Sequence, residues 1–405
     1  MDAIELTADE KEMLAGARGP GAAKAMEILS ALARVQGVRR LQPVRFAHVS
    51  GISYKNIGEA GLHFLRTLAE GTGRIAVPAT LNPGGIDLVA WKELGAGEAF
   101  VNKQREIVDR LASMGFDPLL SCAPYHAGYR PDPGDALAWA ESSAVAFANA
   151  VLGARTQREG GPASLAAAIA GRTVPAGPHR PEGRRPTLRV EVRVPVRGPA
   201  DAGALGVLAG RSAGGGVPWF EGLTLPAGRE EVCLKALGAS MGALGAVAVF
   251  HADGFTHEAI EGLVPDPGLP VLVVDDLSPG FRIPGTESRG PVDLVAFGCP
   301  HASLADIREI AASLDGRRLK TALWVMTSRH TSGQAEAEGL GEAIRRAGGR
   351  IVCDTCIVVS PLKALGFSAV ATDAAKAAYY LPAHQGVKAV FADRERCLAL
   401  AAGSG

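Results

Sequence analysis

The sequence predicts an α/β protein built of several stacked layers. Two features carry the prediction. Short runs rich in Val, Ile and Phe alternate with longer stretches whose apolar residues recur every three or four positions. The short runs end in Gly, Pro, Ser, Cys or His, and strand ends are where open α/β sheets take their ligands. With 405 residues, the chain has room for two or three compact domains.

Taken in order, residues 3–38 carry a helical pattern. RFAHVSGIS (45–53) reads as a strand running into a glycine turn, and NIGEAGLHFLRTLAEG (56–71) as a helix that stops at glycine. RIAVPATL (74–81) is a short strand before the turn-forming NPGG. VNKQREIVDRLASMGF (101–116) is a helix, PLLSCAPY (118–125) a strand ending in a loop, and ALAWAESSAVAFANAVLGART (136–156) a packed helix. RTVPAGPHRPEGRRPTL (172–188), rich in Pro, Gly and Arg, reads as a linker or a long surface loop. LRVEVRVPV then alternates like a half-buried strand. AVAVFHADG, PVLVVDD, DLVAFGCPH, TALWVMTS and IVCDTCIVVSP follow as strands between helical stretches. The expected divisions are 1–185, 186–290 and 291–405.

Composition narrows the function classes. Lys plus Arg and Asp plus Glu both number 42, so the formal charge is zero and nothing favours nucleic acid or a membrane surface. No apolar run reaches the roughly 18–20 residues of a membrane span. MDAIELTADEKEML is too acidic for a secretory signal. The expectation is a soluble cytoplasmic enzyme or binding protein.

Small polar clusters at strand ends mark the candidate chemistry: VSGIS (49–53), TLNPGG (80–85), SCAPYHAG (121–128), FGCPHAS (297–303) and CDTC (353–356). WAESSA (139–144) lies near a helix start. Gly and Ser let backbone N–H groups approach a ligand closely, which suits an anionic small molecule. Six cysteines in a chain of this size do not suggest a disulfide framework. Cys233 and Cys397 sit in helical patterns and read as core. Cys122, Cys299 and Cys356 each follow an apolar run, and three thiolates from distant strand ends can hold one metal centre. Structural zinc wants four N or S ligands, commonly from paired C-x-x-C motifs, and only one such motif is present. A redox dithiol normally opens a helix, whereas Ile-Val-Val after Cys356 reads as continuing strand. Three thiolates on an iron–sulfur cubane leave one iron open, which suits a Lewis acid.

The histidines divide. His301 and His126 are candidates for orienting a substrate or supporting the metal shell. His48 and His251 lie on strand patterns and read as core, and His330 reads as a residue of a polar loop. Asp87 and Asp354 fit turn or cap roles.

At these clusters the chain resembles the aconitase X family, a branch of the aconitase superfamily. The resemblance spans nearly the whole sequence. It is most specific in WAESSAVAFANAVLGARTQREGGPASLAAAIAGRT (139–173), supported by SGISYKNIGEAGLHFL, LNPGGID, CAPY, FGCPHASL and CDTCIVV. It implies an aconitase-like α/β/α architecture equivalent to domains 1–3, with Cys122, Cys299 and Cys356 as ligands of an iron–sulfur centre, 4Fe-4S being expected. Cys353 is then a neighbour facing the other way. The resemblance further implies substrate contacts from Gly51, Ile52, Ser53, Asn82, Pro83, Ser142, Ser143 and Lys376. The wording Thr372-Asp373-Ala374 near that lysine departs from the family's usual Asn- and Ser-rich form.

After residue 380 the sequence offers a short helix and an AAGSG tail. The swivelling fourth domain of aconitase-like enzymes is therefore expected on a separate small subunit, which would bring the catalytic serine base. Family members dehydrate either (R)-5-phosphomevalonate, giving trans-anhydromevalonate 5-phosphate in a modified mevalonate pathway, or cis-3-hydroxy-L-proline. The split form and the SGISYKNIGEAG wording favour the first. A non-enzymatic iron–sulfur or small-molecule sensor subunit is the alternative from another class.

Overall fold

The computed structural model describes residues 4–287 and 290–402. Its α/β class is the expected one: three parallel sheets follow one another along the chain, each packed with helices. Parallel strands covered on both faces read as unbroken apolar runs. FAHV (46–49) and LVAF (294–297) are accordingly buried at every position.

The first portion opens with α1 (Ala8–Leu14) and α2 (Pro20–Val35). The single helix expected over 3–38 is thus two. Gly16 and Gly19 take positive φ, and Pro20 has no N–H to continue a helix, so it begins one instead. Next come β1 (Gln42–Pro43), β2 (Phe46–Val49), α3 (Tyr54–Gly71), β3 (Ala79–Leu81), α4 (Glu98–Ser113), β4 (Leu137–Trp139), α5 (Ser142–Ala150), α6 (Gly161–Ala170) and β5 (Arg172–Thr173). The sheet order is β3-β2-β4, all parallel, while β1 and β5 pair antiparallel.

Three expectations for this portion are corrected. RIAVPATL keeps only Ala79–Leu81 as strand, Pro78 having no N–H for a ladder. PLLSCAPY is a loop, tied along β3 by Asp117 N–H to Ala79 O (2.9 Å) and Ser121 N–H to Leu81 O (3.1 Å), and it ends in a short 3-10 turn at Pro124–His126. ALAWAESSAVAFANAVLGART is a strand followed by a helix. Leu137–Trp139 is a fully buried strand, which periodicity does not separate from a buried helix, and α5 begins only after Glu141.

The segment 172–188 is packed rather than a surface linker. Two 3-10 turns, Gly177–His179 and Pro181–Arg184, are pinned by Arg184, only 4% exposed. Its guanidinium donates to Asn149 O at 2.7 Å and to Asn149 Oδ1, Ala154 O and Pro178 O at 3.2 Å, and pairs with Glu258. Composition alone does not reveal that such a fork finds so many acceptors. The middle portion then runs β6 (Leu188–Val192), α7 (Pro199–Ala213), β7 (Pro218–Glu221), α8 (Glu230–Gly245), β8 (His251–Ala252), α9 (His257–Ile260) and β9 (Val271–Val274), in sheet order β8-β7-β6-β9. AVAVFHADG contributes only the two residues of β8 to the ladder.

The last portion comprises β10 (Leu294–Phe297), α10 (Leu304–Ser313), β11 (Ala322–Thr327), α11 (Arg329–Ala337), α12 (Leu340–Arg346), β12 (Gly349–Cys353), β13 (Ala369–Thr372), α13 (Ala375–Tyr380), β14 (Lys388–Phe391) and α14 (Arg394–Ala402). The order is β12-β11-β10-β13-β14, all parallel. IVCDTCIVVSP stops being a strand at Cys353, because Asp354 takes φ 56 and Ile357–Val359 form a turn. His330 lies in α11, not in a loop. The last three residues of the AAGSG tail lie outside the described residues. Cys233, Cys397, His48 and His251 are all fully buried, as expected of core positions. Among the described residues, no helix is long and apolar enough to cross a membrane.

Strand order explains where ligand groups gather. In the first sheet β2 has β3 on one side and β4 on the other; in the last, β10 lies between β11 and β13. Successive connections leave such a strand in opposite directions, opening a crevice at its carboxyl end. Gly51–Ser53 follow β2, and Glu141 with the first turn of α5 follows β4; Cys299 follows β10, and Lys376 lies in the first turn of α13, after β13.

Candidate active site

Gly298 ends β10 with φ 90, and a Cβ there would lie 2.2 Å from Met326 O, so only glycine lets the chain leave the sheet at this point. The next residues are Cys299, Pro300 and His301. His301 is 2% exposed and joins the segments of the other two cysteines. Its backbone N–H donates to Cys122 Sγ at 3.2 Å, its Nε2 lies 3.0 Å from Thr355 O, and its Nδ1 lies 3.2 Å from Ser121 Oγ. A carbonyl only accepts, so Nε2 carries the proton and Nδ1 accepts from Ser121. Burial holds this imidazole down at about 4, consistent with a neutral ring.

The Cys356 loop is fastened to the NPGG turn. Gly84 N–H donates to Asp354 O at 2.8 Å, and Cys356 N–H donates to Gly84 O at 3.0 Å. Asp87 Oδ2 accepts Cys353 N–H at 2.9 Å, and Arg329 pairs with both Asp87 and Asp354. Asp87 and Asp354 therefore act as fasteners between the first and last portions. Cys353 is buried in β12, on the far side of this turn from Cys356 in the chain.

Cys122, Cys299 and Cys356 lie close enough to influence one another. Burial pushes the Cys122 thiol up to about 12, with Glu141 and Cys356 adding to the rise and Lys376 opposing it. Burial, then Cys356, raises Cys299, with Cys122 also contributing. Among the described residues, no three His, Cys, Asp or Glu side chains are gathered to hold a single metal ion. Three thiols brought together from three separate segments are the kind of donor set that an iron–sulfur group takes.

Beside them is a carboxylate that the sequence reading passed over. Glu141, the N-cap of α5, accepts Ser143 N–H at 3.2 Å and Ser143 Oγ–H at 2.9 Å on one oxygen, and Asn82 Nδ2 at 3.0 Å on the other. Lys376 of α13 pairs with it and reaches Ser142 Oγ at 3.4 Å and Ser143 Oγ at 3.5 Å. Burial pushes the Glu141 carboxyl up, but the Lys376 ammonium and the Ser143 donors outweigh it and hold it down at about 2. The same partnership keeps Lys376 protonated against burial. The structure thus brings Asn82, Ser142, Ser143 and Lys376 together on one side chain. The sequence gives no local signal for this role, since Glu is not among the residues that favour the N-cap and the adjoining serines are the expected caps.

The Gly51–Ser53 turn approaches from the other side. Gly51 has φ 74 and is exposed, whereas Ile52 and Ser53 are buried. Ser53 Oγ donates to Val359 O at 3.3 Å, and Ser50 Oγ to Ala140 O at 3.4 Å, so the turn touches both the Cys356 and the Glu141 loops. Gln104, fully buried in α4, braces it by donating to Ile52 O at 3.0 Å and accepting Tyr54 N–H at 3.1 Å. A glutamine on an amphipathic helix gives no sequence signal for this. Pro83 lies between Asn82 and Gly84 on the paired turn. His126 is drawn elsewhere, 3.7 Å from Glu231. A small cavity of about 40 Å³ is lined in part by Cys299, Lys376, Lys235, Asp306, Asp373 and Arg394.

Comparison with known proteins places this arrangement. Family models match throughout: the aconitase X first domain over residues 3–182, the second over 186–275 and the third over 292–403. The chain belongs to the aconitase X family, within the dehydratase class of enzymes. It is 44% identical to the phosphomevalonate dehydratase large subunit of Methanothermobacter thermautotrophicus, across 96% of this chain and 97% of that one. It is 34% identical to the cis-3-hydroxy-L-proline dehydratase of Pseudomonas aeruginosa, across 98% of this chain and 70% of that protein. The holo-form crystal structure of Thermococcus kodakaraensis aconitase X superposes with a TM-score of 0.89 at 40% identity, covering 98% of this chain and 99% of that one.

Proposed function

We propose that this chain is the large subunit of a hydro-lyase that converts (R)-5-phosphomevalonate to trans-anhydromevalonate 5-phosphate. Cys122, Cys299 and Cys356 would hold an iron–sulfur cluster, 4Fe-4S in this reading. Lewis acidity toward a leaving hydroxyl is the chemistry such a cluster supplies when bound. The chain's own groups bind and orient. Backbone N–H groups of the Gly51–Ser53 turn, Ser142 Oγ and the Lys376 ammonium hold anionic oxygens of the substrate. Asn82 and Pro83 line the wall between them. A small subunit, implied by the names of the archaeal relatives, completes the site and brings the base that removes the proton α to the carboxylate.

One observation carries the choice of substrate. A cyclic amino acid needs a free carboxylate for its ammonium, whereas a phosphorylated acid needs cations and N–H donors. Among the described residues around the pocket, Glu141 is already engaged by Lys376, Asn82 and Ser143, and Asp373 by Arg394. Neither carboxylate is left over for a ligand ammonium, which favours the phosphorylated acid. The test is an anaerobic assay of this chain, alone and with its small subunit, on (R)-5-phosphomevalonate and on cis-3-hydroxy-L-proline. Turnover of the phosphate ester by the pair, and little by the single chain, is expected. Turnover of the proline derivative alone overturns the substrate, and full activity of the single chain overturns the shared site.

A further inference from the structure

We propose that Glu141 is a positioning residue that fixes the donor and acceptor pattern of the substrate pocket. The proposal deepens the function proposed above and rests on it for the identity of the substrate. Its basis is the convergence of three separate segments, the turn after β3 and the first turns of α5 and α13, on one largely buried side chain. Asn82, Ser143 and Lys376 each direct a donor at Glu141, and none of them neighbours another of the three in sequence.

The polarity follows from the chemistry of the partners. An amide side chain has nearly the same shape either way round, so its neighbours decide which end is the donor. A carboxylate only accepts, so Asn82 must turn Nδ2 toward Glu141 and carry Oδ1 away from it. That Oδ1 is buried and has no hydrogen-bond partner. The buried His48 ring lies beside it: Nδ1 is 2.8 Å from Thr80 Oγ1, and Nε2 is the nitrogen that faces the Asn82 side chain. Glu141 thus sets the Asn82 amide with its acceptor turned toward His48, and holds a cation at its other oxygen. Lys376 has a long, rotamer-rich chain, and Glu141 holds its ammonium against the Ser142 and Ser143 hydroxyls. A glutamine at 141 has one acceptor and one donor group. Its one oxygen cannot stand at both the Asn82 end and the Lys376 end, so the Asn82 amide is free to turn over and the lysine loses its charge partner.

The experiment compares wild type, Glu141→Gln and Glu141→Asp in the assembled complex. Glu141→Gln should raise KM for phosphomevalonate roughly 10- to 100-fold, the loss of one or two charge-assisted contacts, with kcat changed less. Iron and sulfide per chain should stay at wild-type levels, and Glu141→Asp should recover most of the KM. A second measurement needs no substrate: acylation of Lys376 by an amine-selective reagent, followed by peptide mass, should run several-fold faster in Glu141→Gln than in wild type. A wild-type KM in Glu141→Gln overturns the proposal, as does equal Lys376 reactivity in the two proteins. If wild type itself does not turn over phosphomevalonate, the proposed substrate fails, and the acylation rates alone decide the role of Glu141.

Discussion

Lys235 of α8 and Asp306 of α10 form an ion pair at 2.7 Å, with side chains 5% and 8% exposed. Lys235 also donates to His301 O at 3.2 Å, and Asp306 closes the capping box of α10 with Ser303. The middle and last portions are thereby joined directly behind the residue that donates to Cys122. Replacing Lys235 with Met leaves Asp306 buried and unpaired. The expected cost is about 3–5 kcal/mol, measured as a shift in the denaturant unfolding midpoint. A loss below about 1 kcal/mol would show that the pair is dispensable.

The acidity of Asp306 gives a second test. Burial pushes its carboxyl up, but Lys235 and Ser303 outweigh that and hold it at about 2, below its ordinary 3.8. A depressed folded pKa adds stability that is present above the ordinary value and lost as pH falls through the folded one. Unfolding free energies of wild type and Asp306→Asn should therefore differ most above about pH 4 and converge toward about pH 2. A constant gap across that window contradicts the ion-pair account.

Arg329 bridges Asp87 and Asp354, so Arg329→Ala should leave two enclosed carboxylates facing each other. Arg329 itself is 44% exposed, and solvent screens its contribution. The expected loss is about 1–2 kcal/mol, with faster hydrogen exchange at the Gly84 and Cys356 amides that pair across the portions. Unchanged exchange there would confine Arg329 to a surface role.

Lys376→Ala should weaken phosphomevalonate binding roughly 10- to 150-fold, with iron content per chain unchanged. The same substitution leaves Glu141 buried without its cation, so part of the effect appears as lost thermal stability. Binding within twofold of wild type would remove Lys376 from the substrate pocket.

Much of this arrangement was legible in the sequence because strand ends announce themselves. The segments at Gly51, Asn82, Ser142 and Cys299 all follow strands, whereas the Cys122 segment follows a loop. What stayed hidden depends on packing between distant segments. Arg184 makes a Pro- and Gly-rich stretch part of the interior, and Gln104 braces a turn 50 residues away, without any local pattern. Cys356 was read on a strand because Ile-Val-Val favours one. The positive φ of Asp354, held by the Gly84 contact, ends it instead. Glu141 lies within the WAESSA cluster, yet only the approach of α13 from the last portion makes it the centre of the pocket.

In the proposed function three cysteines, and not the C-x-x-C pair, hold one iron–sulfur group. The most direct measurement is iron and sulfide content, with the visible absorption spectrum, of anaerobically reconstituted wild type and four single variants. Cys122→Ser, Cys299→Ser and Cys356→Ser should each lose the cluster bands, while Cys353→Ser keeps them at wild-type intensity. Equal loss in Cys353→Ser and Cys356→Ser, or retention of the bands in Cys122→Ser or Cys299→Ser, would contradict the account.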